Sequence, residues 1–172
     1  MRHERNEFDL GRATRQQGRA QPRRVRVLAR PAGGMVEERR VSGGAEEPVA
    51  GDGGATVVIC LDGVGTAVVE RETFLARAGF IVILKREAAA RFAAGPQGLR
   101  WIVVRWPERA LVALGPLRQG LDRTRALYGR ASVGMAWRIS DELRVNDPLS
   151  PWAVDVMANG IAVGLTRGTR SH

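Results

Sequence analysis

The sequence predicts an α/β fold, a three-layer domain whose largely parallel sheet becomes mixed at its C-terminal end, preceded by a disordered arm. Three observations carry the prediction. TVVICL (56–61), FIVILK (80–85) and LRWIVVRW (99–106) are apolar runs rich in β-branched residues, as expected of strands covered on both faces. The segments between them, TAVVERETFLARAG and REAAARFAAG, have helical spacing or helical propensity and end in glycine. Strand–helix–strand units with short connections imply right-handed crossovers and therefore parallel strands.

Taken in order, residues 1–30 hold nine arginines against Glu4, Glu7 and Asp9, with Phe8 the only aromatic. So little apolar surface cannot offset the ordering entropy, and a disordered basic arm is expected. Residues 31–55 contain seven glycines and two arginines against five acids, the composition of a flexible, weakly acidic linker. The α/β domain then spans 56–172. After the three strands, PERALVAL and PLRQGLDRTRALYG predict helices broken at Gly115-Pro116, because a helix seldom continues through that pair. ASVGMAWRI predicts a fourth strand and SDELRVNDPLSP a loop or short helix. In AVDVMANGIAVGL two alternating runs flank Asn159-Gly160, the signal of a two-residue hairpin.

With 172 residues, 44% of them hydrophobic, the chain can bury one ordinary core. No run approaches the roughly 18 apolar residues of a spanning helix. MRHERNEFDLGR has no apolar signal region, so no membrane partner and a cytoplasmic location are expected. Cys60, the single cysteine, lies in an apolar strand, where a buried inert thiol is the ordinary outcome. The net charge of +9 favours an anionic partner. That inference is tempered because 26 of the 27 basic residues are arginine, only Lys85 being lysine, as a GC-rich coding sequence would produce.

Candidate chemistry centres on LDGVGTAVV. A glycine turn between a strand and a helix can hold a phosphate on its backbone N–H groups, which nominates Asp62, Gly63, Gly65 and Thr66 as cofactor-binding residues. Val68 stands where the dinucleotide pattern needs its third glycine, and the turn lacks the Gly-Lys-Ser/Thr of a P-loop. Mg²⁺ at Asp62 is the one cofactor suggested, and one carboxylate makes a weak metal site. The only histidines, His3 and His172, stand at opposite ends of the chain, so no histidine-based catalytic cluster is expected inside the domain. For nucleic acid, Arg12, Arg15, Arg19, Arg23, Arg24 and Arg26 of the arm are the candidate phosphate contacts. Trp101, Trp106, Trp137 and Trp152, near Arg100, Arg105 and Arg138, form either a stacking surface or core, with core the simpler reading of an alternating strand.

VVICLDGVGTAVVERETFLARAGFIVIL, followed by a short helix and WIVVRWPE, resembles the first half of bacterial response-regulator receiver domains over about residues 57–107. In that resemblance Asp62 matches one acidic residue that holds magnesium, and ARAGF (76–80) matches the helix end. Gly63 replaces a second acid, and Arg105 or Trp106 stands where the phosphoacceptor aspartate belongs. The resemblance implies a degenerate receiver that cannot be phosphorylated and serves as an interaction platform.

Three functional readings follow. The first is a non-enzymatic binding or regulatory module whose arm contacts an acidic partner, either nucleic acid or an acidic protein. The second is a nucleotide- or magnesium-binding enzyme using the glycine turn. The third is an open reading frame without a selected function, which the arginine bias and the fading pattern after Pro107 would also fit.

Overall fold

A computed structural model describes residues 24–168. Its elements are β1 (Arg24–Ala29), β2 (Met35–Val41), β3 (Glu46–Ala50), β4 (Gly54–Val69), β5 (Glu72–Arg77), β6 (Phe80–Leu84), β7 (Ala89–Pro107), α1 (Glu108–Ala113), a 3₁₀ turn (Gly115–Gly120), β8 (Arg125–Tyr128), α2 (Arg130–Val145) and α3 (Ser150–Gly168). Every strand pair is antiparallel. The strands run β1-β2-β7-β4-β6-β8, with β3 also on β7 and β5 also on β4.

This corrects the parallel three-layer α/β prediction and the receiver resemblance with it, because no helix separates the strands between Val57 and Pro107. TAVVERETFLARAG forms the end of β4 and all of β5. Gly65, Ala67 and Val69 are buried while Val64, Thr66 and Val68 are exposed, a period of two beneath the helical spacing. The hairpin turn at Glu70-Arg71 has φ of +49° and +82°, a mirror-image turn made without glycine or asparagine, so its sequence signal is missing. REAAARFAAG becomes the start of β7, with Ala90, Phe92 and Ala94 buried and Arg91 exposed. Pairing with β3 on one side and β4 on the other overrides alanine's helical preference.

β4 and β7 are long because each crosses a bend. β2 and β3 lie end to end along β7, and β5 and β6 lie end to end along β4. Between the two halves the β4–β7 register shifts at Cys60/Asp62 and again at Gly63/Gly65. Phe92 and Trp101 show the result. Nine residues of straight strand would separate them by about 30 Å, yet their rings stack at 5.1 Å. The sheet therefore folds over itself around a core that includes Val58, Cys60, Phe80, Phe92, Trp101 and Val103.

The convex side of one half carries Val57, Ile59, Ile102, Val104 and Trp106, which pack against α2 and α3. ASVGMAWRI, predicted as a strand, lies in α2, where Ser132, Ala136, Ile139, Ser140 and Leu143 recur on one buried face. The predicted Asn159-Gly160 hairpin is the middle of α3, whose buried Val154, Ala158, Ile161, Ala162 and Leu165 also follow a helical period. A Cβ at Gly160 would lie 2.8 Å from the Met135 sulfur, so the dipeptide permits close helix packing rather than a turn. SDELRVNDPLSP completes α2, and Asp147 then accepts the N–H groups of Leu149 and Ser150 at 2.8 and 2.9 Å to start α3.

The expected flexible linker 31–55 carries β2 and β3, and the last part of the expected disordered arm is β1. Residues 1–23 lie outside the described residues. Strands are present in the segments read as strands, 56–61, 80–85 and 99–106, the second ending at Leu84, and PERALVAL contains α1.

Candidate functional site

The glycine turn around Asp62 is the corner of the bent sheet. Gly63 has φ of +85°, and a Cβ there would lie 2.3 Å from the Gly98 carbonyl oxygen, so the backbone conformation and the close strand approach both require glycine. Asp62 is exposed, and its Oδ1 accepts the Gly63 N–H at 2.7 Å. Gly65 and Thr66 border a shallow apolar hollow with Val64, Leu75 and Pro96. The strand continues past the turn, so no helix N-terminus faces Gly63 or Gly65. Among the described residues no three His, Cys, Asp or Glu side chains are grouped to hold a metal ion.

Inside the fold, one end of the core is polar. MVEERRV places Glu37, Arg39 and Val41 on the inward face of β2, opposite Trp101, Val103 and Arg105 of β7. Arg39 Nε donates to Glu37 at 2.7 Å and Arg39 Nη1 to Glu47 at 2.9 Å, joining the two halves of the sheet. Arg105 Nε donates to Glu37 at 3.3 Å, and its Nη1 donates to the Ala50 carbonyl at 2.8 Å. Two acids and two arginines are thus linked in a tetrad in which Glu37, Arg39 and Glu47 are buried and Arg105 is half-buried, and Phe92 and Trp101 fill the adjoining interior. Its chemistry is that of a clamp, since each guanidinium is held by protein oxygens. Cys60, in the same core, has its thiol pushed up to about 12 by burial, as expected of an inert thiol.

The outward face holds two further clusters. Glu38 accepts Arg100 at 2.8 Å and Ser140 at 2.9 Å, docking α2 on the sheet, while the Arg100 guanidinium lies 4.8 Å from the Trp137 ring centre. Arg30 does the same for α3, reaching Asp155 at 2.9 Å and Asn159 at 3.1 Å. Trp101 and Trp106 are fully buried and Trp152 is exposed, so the four tryptophans form no common stacking surface.

The concave feature with unspent binding capacity is a cleft of about 600 Å³ where β8 meets the start of α2 and the end of α3. Its lining includes Arg125, Arg130, Ser132 and Tyr128 over an apolar floor of Ile81 and Leu165, with no acidic residue among those that line it. Gly129 precedes α2 with no side-chain cap, leaving the first-turn N–H groups without side-chain acceptors. Ser132 lines this cleft and is 95% buried. Arg125 Nη2 donates to the Gly120 carbonyl at 2.8 Å, while its buried Nε has no partner. Burial lowers the pKa of Arg125, Asp122 pulls it back up, and Arg123 lowers it further. None of these residues was a site candidate in the sequence, where Arg125 sits in a segment that reads as helix and Ser132 in one that reads as strand.

Of the arm candidates, Arg12, Arg15, Arg19 and Arg23 lie outside the described residues. Arg24 and Arg26 belong to β1, and Arg26 stands 3.6 Å from Glu38. No helix among the described residues is long and apolar enough to cross a membrane.

No protein-family model and no curated protein matches the chain. Similar solved structures include a cupin superfamily protein of Desulfitobacterium hafniense, 11% identical, with a TM-score of 0.45 over 53% of this chain and 83% of that one. A cupin 2 conserved barrel domain protein of Leptotrichia buccalis is 12% identical, with a TM-score of 0.44 over 50% and 41% of the two chains. A protein of Photorhabdus luminescens is 13% identical, with a TM-score of 0.41 over 62% and 82%. The first two are described as cupins and not as receivers, and no residue role passes from any of the three to this chain.

Proposed function

We propose that the chain is a non-enzymatic binding module that holds a small organic anion in the β8–α2–α3 cleft. The carrying observation is the convergence of donors on one apolar-floored cavity without an acidic residue in its lining: the uncapped start of α2, the Ser132 hydroxyl and the Arg125 guanidinium. A phosphate or carboxylate head would accept these donors and Arg130, while an apolar body would cover Ile81 and Leu165.

The test is titration of the full chain with phenyl phosphate and benzoate, with benzylamine as the control, followed by amide NMR and thermal unfolding. The anions should raise the melting temperature and shift the amides of Ala131 and Ser132. Arg125→Gln and Arg130→Gln should each weaken binding about tenfold, the effect of losing one charge-assisted hydrogen bond. Binding unchanged in both variants, or shifts elsewhere on the chain, would overturn the proposal.

A further inference from the structure

We infer that the outer edge of β1 is a docking edge for an extended acidic segment of another protein. β1 ends the strand order, and among the described residues no strand pairs with its outer side. Such an edge offers a row of main-chain donors and acceptors to an incoming strand. Its side chains supply two different faces. Arg24 and Arg26 occupy positions on the helix-covered side with Leu28, while Val25 and Val27 occupy the opposite side and are 38% and 55% exposed.

Charge selects the occupant. Arg24 is registered opposite Arg40. Among the described residues Arg26 reaches Glu38 by a long contact, 3.6 Å, and Glu38 is already engaged by Arg100 and Ser140 at shorter distances. An added strand with acidic residues on one face and apolar residues on the other would neutralise the arginines and cover Val25 and Val27 together. A second copy of β1 would instead set arginine beside arginine, which is unfavourable across a strand pair. Residues 1–23 carry six arginines and three acids and do not supply an acidic strand. Arginine on an edge also deters self-pairing, but that role does not call for the exposed valine stripe.

The test is titration of the full chain with a blocked hexapeptide of alternating glutamate and valine, read by amide NMR. Saturable shifts confined to β1 are expected, weakening as salt is raised. A lysine–valine peptide and a backbone N-methylated glutamate–valine peptide should not bind. Arg26→Gln should reduce affinity several-fold while leaving the rest of the amide spectrum in place, since Glu38 keeps Arg100 and Ser140. Equal binding by the methylated peptide, unaltered affinity in a folded Arg26→Gln variant, or displacement of the peptide by single-stranded oligothymidylate at the same amides would overturn the inference. The last outcome would point to a phosphate-binding surface instead.

Discussion

Replacing Arg39 by methionine is expected to cost about 3–5 kcal/mol of folding stability, the usual consequence of removing one partner from a buried charge cluster. Arg39 bridges Glu37 at 2.7 Å on β2 and Glu47 at 2.9 Å on β3, across the fold-over of the sheet. Without it Glu37 and Glu47 each lose a guanidinium, in a region where neither acid is more than 9% exposed. Methionine retains much of the stem's packing, so the loss reports charge and hydrogen bonding rather than a cavity. Urea unfolding should show a lower midpoint at an unchanged slope. Combining Arg39→Met with Glu47→Gln should recover part of the loss, because both members of that pair are then removed together while Glu37 keeps Arg105. A cost below about 1 kcal/mol, the range of exposed ion pairs, would mean that the tetrad is solvated.

Arg30→Ala should be about as damaging, again roughly 3–5 kcal/mol, through a different failure. The Arg30 side chain is fully buried, pairs with Asp155 at 2.8 Å and lies 5.0 Å from the centre of the Trp106 ring. Burial lowers the arginine's pKa and Asp155 raises it, so the contact couples a desolvated cation to its principal counter-charge. Truncation leaves Asp155 without that partner, frees Asn159 and removes the guanidinium from Trp106. The expected result is a protein in which α3 loosens before the sheet does. Hydrogen exchange should therefore accelerate in α3 more than in β4 or β7, and uniform acceleration across all three would contradict a local docking role for Arg30.

The sequence discloses the strands that are apolar on both sides, because Val57–Ile59 and Ile81–Ile83 need burial on two faces in an antiparallel fold-over as much as in a parallel sheet. Strand direction is not encoded in those runs. It is set by what lies between them, and there helical spacing in TAVVERETFLARAG and alanine content in REAAARFAAG compete with a period-two burial that only neighbouring strands reveal. The Glu70-Arg71 turn carries no residue that announces a positive φ. Asn159-Gly160 announces one falsely, although the spacing of Val154, Ala158, Ile161 and Leu165 was available to argue for helix.

For the sites, MVEERRV contained a usable signal. On a strand its order places a glutamate and an arginine together on each face, and the structure spends one pair on the tetrad and sets Glu38 against α2. The cleft was not legible, because it depends on where α2 begins relative to β8, a tertiary fact. Asp62, Gly63 and Gly65 drew attention as a ligand turn for the same property that fits them to a corner, a backbone able to bend and to approach its neighbour closely.

The central claim is the antiparallel fold-over, on which the cleft and the β1 edge both depend. Interstrand Hα–Hα nuclear Overhauser contacts between β4 and β7 test it most directly. Antiparallel pairing predicts contacts whose β7 partner number falls as the β4 number rises, from Val57 with Val104 towards Ile59 with Ile102. Partner numbers that rise together would restore a parallel sheet, and a spectrum without interstrand contacts would return the chain to a sequence not selected for a unique fold.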